Sequence, residues 1–376
     1  MRFGFEKAKK FTRQLREAGK AGRKPSFGRL VDIVKSGLRY RLSPLEYYLY
    51  GFDADGITRK KRLSYLSNER IVSVFRPALN NRRWISLLEN KLLFFHYYSQ
   101  FKLPVVNVYG FYYPDRGFFL DGTSLRGKDD FVKWIKQSGI KDLVVKPVGS
   151  LGGKGIKIFT RVISPELALG NDGKEYTFGE IFSFMNNDIA TRQPHEDPYR
   201  GYIIEAKISQ DPVMNVLSGV SLNTIRVSTI ITKHDEVLID FAMIRIGKAG
   251  SLTDNLHQGG YVVNIQIEKG DLDEKTFGYK GKVGPWIEEK EQKLKRLFTK
   301  GRIPHWDAII SLAKKTAALS PELRSVGWDI ALSKEGPVLM EGNDNWDMVI
   351  AQVLAGGYLT ERRREILREY GLEFPM

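Results

Sequence analysis

Val144-Val-Lys-Pro-Val-Gly-Ser-Leu-Gly-Gly-Lys-Gly-Ile-Lys-Ile-Phe-Thr160 is the stretch on which the fold turns. Two β-branched runs, Asp142–Val148 and Ile156–Thr160, read as strands flanking the Gly-rich turn Gly149–Gly155. That context excludes the best-known phosphate loops. A Walker A loop needs glycine at 148 and Ser or Thr at 155, where this chain has Val148 and Gly155. A dinucleotide fingerprint must open a helix, and Ile156-Lys-Ile-Phe reads as strand. The pattern suits a hairpin flap whose backbone N–H groups, at Gly149, Ser150, Gly152 and Gly153, close over phosphates, with Lys154 adding charge. Lys146 alternates onto the flap side, where its ammonium holds a phosphate as a point charge. A plain Gly-rich hairpin is the structural alternative.

Downstream the same texture of short β-branched runs and tight turns continues. Val105–Tyr109, Tyr202–Ile208, Thr224–Thr232, Val237–Gly247, Gly260–Ile267, Val326–Leu332 and Pro337–Gly342 are expected strands. Gly179–Asn186, Ile287–Thr299 and Trp306–Leu319 are expected helices, and Asn187–Arg200 a polar loop. The final stretch of about 25 residues reads as one amphipathic, Arg-rich helix. Upstream the chain is helical: residues 1–24 form a basic helix with a thin Phe3, Phe5, Phe11, Leu15 stripe. Ser43 caps a helix that starts at Pro44, and a helix covers Trp84–Phe101. The whole is an α+β pattern of mainly antiparallel strands with packed helices.

Hydrophobic residues make up 42% and charged residues 27% of the 376, a globular rather than a disordered balance. At roughly 150 residues per domain the length implies two or three domains. No apolar run approaches the roughly 18–20 residues of a membrane span, and the N-terminus has no secretory pattern. The absence of cysteine excludes disulfide scaffolds, thiolate zinc sites and thiol nucleophiles. A cytoplasmic location is expected. The formal charge is +15, and residues 1–41 hold 13 Lys/Arg against 3 Asp/Glu, ten of those fifteen charges. Such a leader suits an anionic membrane surface or glycan, the bland alternative being a solvated helix.

Three further constellations bear on chemistry. Asp329 lies on one strand of a hairpin, Glu341 and Asn343 on the other and on one face. Three hard oxygen ligands converging there are what a nucleotide-bound Mg²⁺ requires; ordinary acids at a strand end are the alternative. Arg226 and Arg245 each interrupt an apolar strand and so need an anionic partner, either substrate or a structural salt bridge. The turn Asn255-Leu-His257-Gln-Gly259-Gly260 offers substrate contacts, or simply a satisfied turn histidine. The other histidines show no metal-ligand spacing.

In this order the motifs resemble the ATP-grasp superfamily, specifically its sugar-transfer-associated group, over residues 86–350. The resemblance rests on Asn90-Lys91 opening a helix before Leu-Pro-Val-Val, Val-Val-Lys146-Pro with its flap, Tyr-Ile-Ile-Glu205, Leu-Asn-Thr-Ile-Arg226-Val, Asn255 with Gly259-Gly260, and Asp329, Glu341 and Asn343. It implies two α+β lobes clasping ATP: residues 86–200 and 201–376, preceded by a basic helical region, 1–85. It also implies that Lys91 and Lys146 contact ATP phosphates. The stretch Glu205, Ala206, Lys207, Ile208 would hold the adenine amino group, and Asp211 would be the ribose acid. Asp329, Glu341 and Asn343 would bind Mg²⁺, and Arg226, with Arg245, would face the reacting phosphate.

The implied activity is ATP-dependent carboxylate–amine ligation through an acyl phosphate, chemistry that needs positioning, magnesium and positive charge but no protein nucleophile. The expected partners are a small-molecule or glycan carboxylate, such as a sugar acid, and an amine, such as an amino acid, in surface-polysaccharide or glycoconjugate biosynthesis. Residues 1–41 would then bring the enzyme to the inner membrane face or an acidic glycan. The alternative is a kinase on the same fold, with Asp240 or His257 as base. Nucleic acid is not an expected partner, because the aromatic residues are not interleaved with the basic leader.

Overall fold

The computed structural model describes residues 9, 11–15, 26–114, 116–149, 153–193, 199–218, 221–248, 254, 256, 259–278 and 301–375. Most of the expected helix 1–24, and the one at Ile287–Thr299, lie outside these.

Helical segments open the chain. α1 (Phe27–Tyr40) is capped by Ser26, and α2 (Pro44–Leu49) carries a full capping box in which Ser43 and Glu46 exchange side-chain and backbone bonds. The expected helix over Trp84–Phe101 is broken. A short turn at Ser86–Glu89 ends at Asn90, whose side chain accepts from Leu92 and Leu93 N–H and starts α3 (Lys91–Ser99) afresh.

The first sheet comprises β1 (Val108–Tyr112), β2 (Gly117–Phe119), β3 (Ser124–Leu125), β4 (Leu143–Pro147), β5 (Lys157–Ser164), β6 (Leu167–Gly170), β7 (Glu175–Thr177) and β8 (Tyr202–Glu205), in spatial order β3-β2-β1-β8-β4-β5-β6-β7. Its ladders are antiparallel throughout. Alternation sends Leu143, Val145, Tyr202 and Ile204 to one face, where α4 (Lys128–Ser138) and α5 (Phe178–Thr191) cover them. The opposite face carries Val108, Ile203, Lys146 and Glu205 and turns toward α3. β8 lies in the middle of this sheet, so the expected lobe boundary at 200/201 falls one strand too early. α5 is longer than expected and reaches Thr191, absorbing the start of the loop read at Asn187–Arg200.

After α6 (Pro212–Ser218) comes the second sheet: β9 (Thr224–Ile231), β10 (Val237–Ile246), β11 (Tyr261–Ile265), β12 (Leu272–Gly278), β13 (Ser325–Ser333) and β14 (Gly336–Asn343), ordered β12-β11-β10-β9-β13-β14. α7 (Trp306–Ala318) packs on the face made by Ile225, Val227, Trp328 and Ile330. The other face packs, through Ile230, Met243 and Val262, on α8 (Met348–Ala355) and on the N-terminal residues Leu66, Ile71 and Phe75. The single Arg-rich terminal helix expected from sequence is two helices, α8 and α9 (Glu361–Glu369), because Gly356-Gly357 lies between them. Every residue of β9 and β13 is buried, as central strands covered on both faces should be.

Two connections tie the sheets together. Val105 bridges Leu339, whose N–H donates to Pro104 O at 2.7 Å, and Gln210 bridges Ser333.

Candidate active site

The cleft lies between the uncovered face of the first sheet and β14 of the second, with α3 beside it. On the first lobe, Val144 is registered opposite Glu205 and Lys146 opposite Ile203, so Lys146 and Glu205 share a face diagonally. Their ends meet: Lys146 Nζ is 2.7 Å from Glu205 Oε1, with both side chains at most 10% exposed. Phe94 and Phe95 of α3, Val108 and Ile203 of the first sheet, and Leu339 and Met340 of β14 wall a pocket whose polar groups are Lys91, Lys146 and Glu205. Such an apolar slot with a few aimed charges is what an aromatic base and its phosphates require. Sequence reasoning missed this apolar wall, because Phe94 and Leu339 carry the same pattern as any core residue.

Lys91 is the first residue of α3, and its N–H donates to Val148 O at 3.1 Å, directly before the Gly-rich turn. Its ammonium reaches across to Glu341 Oε2 at 3.9 Å, so one lysine touches groups of both lobes. In the described part of the turn, Gly149 and residues 153–155, Gly155 has φ +76° and its missing Cβ would overlap Arg192, Pro147 and Tyr202. Only glycine fits there. Lys154 is exposed in the turn; Ser150 and Gly152 lie outside the described residues.

The second lobe supplies a row of charge across its strands. Arg226 of β9 is registered opposite Asp329 of β13, and Asp329 opposite Glu341 of β14. A bulge at Met340 resets the register between Asp329 and Ile330, and Asn343 stands opposite Gly327 on the same face. Gly327 leaves this row room: a Cβ there would lie 2.4 Å from Trp346 Cβ and 3.3 Å from Arg226 Cδ. Arg226 grips Asp329 side-on, Nε and Nη2 each donating at 2.6 Å, while its Nη1 donates to Asp347 at 3.3 Å. Arg245, diagonally placed on β10, donates to the same carboxylate at 2.8 Å and pairs with Asp254 at 3.3 Å. Asp254 in turn accepts from Thr224 N–H at 3.1 Å and from its hydroxyl.

These groups set each other's ionisation. Burial works against the Asp329 carboxylate, yet Arg226 and Arg245 together outweigh it and pull the group down to about 2. Asp254 goes the other way: burial raises it, and Arg245 offsets only part of that. Asp254 and Asp347 were not singled out in the sequence. The only signal was proximity, Asp254 standing beside the Asn255–Gly260 turn.

The expected metal set is only partly available in this arrangement. A carboxylate offers about four lone-pair sites. Those of Asp329 receive two bonds from Arg226, one from Arg245 and a 3.5 Å approach from Asn343 Nδ2. Asp329 is therefore an arginine-holding group here rather than a ligand. Glu341, half-exposed at the cleft, and the amide oxygen of Asn343 are hard donors on one face and suit a Mg²⁺ that takes its remaining ligands from phosphate and water. Among the described residues no group of three or more His, Cys, Asp or Glu is placed to hold a metal.

Other expectations fare differently. Strand β8 stops at Glu205; the N–H groups of Ala206 and Lys207 already donate to Asn107 O at 2.8 Å and Asp142 Oδ1 at 3.0 Å. Two backbone donors of the stretch expected to hold the adenine, which continues through Ile208, are thus already engaged. Asp211 accepts from Val213 N–H at 2.8 Å at the start of α6, so its carboxylate serves that turn. Asp240 is removed from the cleft, held by Tyr358 Oη at 2.6 Å and Arg363 Nε at 2.7 Å. Gly259 and Gly260 lead into β11, with Gly259 N–H donating to Leu256 O at 3.1 Å; Asn255 and His257 lie outside the described residues.

Two antiparallel sheets, each covered by helices outside and closing on a lysine-bearing cleft, define an α+β fold of the ATP-grasp class. The family model described as sugar-transfer associated ATP-grasp matches residues 70–368, and the chain belongs to that family. Solved structures similar to it include a biotin carboxylase from Campylobacter jejuni in its β-γ-ATP complex, with 13% identity, 82% of this chain and 53% of that chain covered, and a TM-score of 0.44. A D-alanyl-alanine synthetase A from Vibrio cholerae gives 11%, 74%, 67% and 0.40 for the same measures. A D-alanine–D-alanine ligase from Helicobacter pylori gives 11%, 77%, 62% and 0.39. This chain thus spans about half the length of the carboxylase chain. No curated protein matches the chain.

Proposed function

We propose that this protein is an ATP- and Mg²⁺-dependent carboxylate–amine ligase that works through an acyl phosphate in surface-polysaccharide or glycoconjugate biosynthesis. Its substrates on this reading are a sugar acid or similar carboxylate and an amine such as an amino acid. The observation that carries the reading is an apolar-walled cleft with Lys91, Lys146 and Glu205 aimed into it, which Lys91 joins through Glu341 to the Arg226–Asp329–Arg245 row of the second lobe.

Lys146 is on the strand that leads into the Gly-rich turn and Lys91 bonds Val148 O directly before it, so both can hold phosphate oxygens of ATP once the nucleotide competes with Glu205 and Glu341 for them. A Mg²⁺ held by Glu341 and Asn343 would neutralise part of the charge on those phosphates. Arg226, fixed by Asp329, keeps its Nη1 edge toward the half-exposed Asp347, and Arg245 is fixed beside it. The γ-phosphoryl group passes to a substrate carboxylate oxygen as the bond to ADP breaks. The amine then attacks the acyl carbon, loses a proton and expels inorganic phosphate. What the residues contribute is position and preorganised positive charge. Of the two bases offered for the kinase alternative, Asp240 is engaged elsewhere and His257 lies outside the described residues.

The test is interception with hydroxylamine. Protein, Mg-ATP and hydroxylamine are incubated with pools of sugar acids, amino acids and small carboxylates, and hydroxamates are measured. One pool yielding an ATP-dependent hydroxamate supports the ligase and identifies its carboxylate. ATP consumption with a phosphorylated hydroxyl and no hydroxamate overturns it in favour of a kinase.

A further inference from the structure

Helix α1 has two apolar faces, and only one of them is used. Ile33, Ser36 and Tyr40 turn inward and are buried in a cluster with Tyr47, Tyr48 and Phe52. Phe27, Val31, Val34 and Leu38 follow in steps of four, three and four residues, the spacing of a single helical stripe. At 100° per residue this stripe lies almost opposite the buried one. It faces outward: Phe27 is 83% exposed, Leu38 82%, Val34 45% and Val31 38%. Burial elsewhere offers these side chains nothing, so folding alone does not account for them.

The charge beside the stripe has one sign. Lys35 and Arg39 are exposed on its flank, while Arg41, which follows the helix, pairs with Glu69 at 3.5 Å. The only acid on the helix, Asp32, is neutralised by Arg62 at 2.8 Å and bonded to Tyr47 Oη at 2.7 Å. The described part of the leader, residues 11–15, lies at the same end of the molecule. Phe11 and Leu15, which the sequence offered as its apolar stripe, pack instead on the cluster that buries Ile33 and Tyr40.

We infer that the outer face of α1 is a docking surface for an anionic phospholipid bilayer. Phe27, Val31, Val34 and Leu38 enter the boundary between headgroups and acyl chains, with Lys35 and Arg39 at the phosphates. An apolar stripe rimmed by Lys and Arg is the composition of helices that lie in a membrane interface. A second copy of the chain is a poorer occupant. Pairing two such stripes sets the like-charged flanks of Lys35 and Arg39 against each other. Four side chains also fall well short of the roughly 800 Å² per partner that a stable interface buries. This inference stands apart from the ligase reading, since it is measured without turnover.

The experiment is co-sedimentation of the full chain with vesicles of phosphatidylcholine alone or with one third phosphatidylglycerol. Binding to the anionic vesicles should be at least about tenfold tighter and weaken with salt. A Phe27→Ser/Leu38→Ser variant should lose about tenfold in that binding with an unchanged melting temperature, because both side chains already stand in water. Equal binding to neutral vesicles, or a variant that binds as the wild type does, overturns the proposal. So does a wild-type dimer that the variant breaks without any vesicle binding, which assigns the stripe to a second copy. Complete displacement from vesicles by a soluble anionic polysaccharide that binds wild type and variant equally assigns the site to a glycan instead.

Discussion

Asp329 carries more of this molecule than any other acid, because two arginines depend on it. Its folded-state value of about 2 lies below the ordinary 3.8, so the stability it contributes is present above pH 3.8 and is lost as pH falls toward 2. The contribution is about 2 kcal/mol at 1.36 kcal/mol per unit. Asp254 has the opposite sign: with its value raised, its contribution is present at low pH and fades as pH rises through the folded-state value. Urea unfolding across pH 2–5 should therefore show a steep acid arm that Asp329→Asn removes. The same substitution should cost about 3–5 kcal/mol at neutral pH, since it leaves Arg226 and Arg245 buried without their anion. Lys146 behaves similarly. Its 2.7 Å pair with the buried Glu205 makes it part of the fold as well as of the cleft. Lys146→Ala should lower both ATP affinity and the melting temperature, and Lys146→Met/Glu205→Gln should recover only the latter. Calorimetry and nucleotide titration read the two effects separately, and unchanged turnover in Lys146→Ala would remove Lys146 from the mechanism.

At the scale of elements, α3 is the part that carries local chemistry to the cleft. Asn90 terminates one helical turn and caps the next, and the residue after it is Lys91. Asn90→Ala should cost about 1 kcal/mol, the ordinary value of a lost cap. It should also raise the KM for ATP more than it lowers kcat, because the start of α3 positions Lys91; steady-state kinetics separates these. The sequence carried the strands well. Thr224–Thr232 and Val326–Leu332 come within a residue of β9 and β13 because β-branched, apolar runs bounded by turns have few other uses. It carried Ser43 as a cap for the same local reason. It carried Asn90 as a break only through the family resemblance, with Asn90-Lys91 opening a helix, and not through periodicity, since both flanking turns are apolar and helical in period. Nor did it carry the partner of Arg226: Asp329 lies 103 residues away, and only the sheet order brings them opposite. Type and periodicity are local properties of a chain, whereas ion pairing across strands is a property of topology.

At the scale of the whole molecule, the helical N-terminal region is not a separable unit. Leu66, Ile71, Phe75 and Leu79 share a buried cluster with Trp346, Met348 and Leu354. Gln352 of α8 accepts from Leu66 N–H at 2.7 Å and donates to Tyr50 Oη at 3.0 Å. A chain beginning at residue 86 exposes this face of the second lobe and strands Gln352 without its partners. It should therefore aggregate or lose cooperative unfolding, as light scattering and calorimetry would show. Recovery of a soluble, cooperatively melting lobe from that truncation would contradict the shared core. Among the described residues no helix is long and apolar enough to cross a membrane.

The row Arg226, Asp329, Glu341 runs at right angles to the chain, from one strand to the next. Its step is about 4.8 Å, the repeat of a hydrogen-bonded sheet, and no loop or side-chain packing sets it. The second lobe thus works as a ruler, with graduations ruled into the backbone lattice. Changing the surrounding loops alters what is laid against the ruler and leaves its markings alone. A redesign for a different acceptor should begin at the loops, because moving any mark along β13 by one residue turns every group on that strand to the other face.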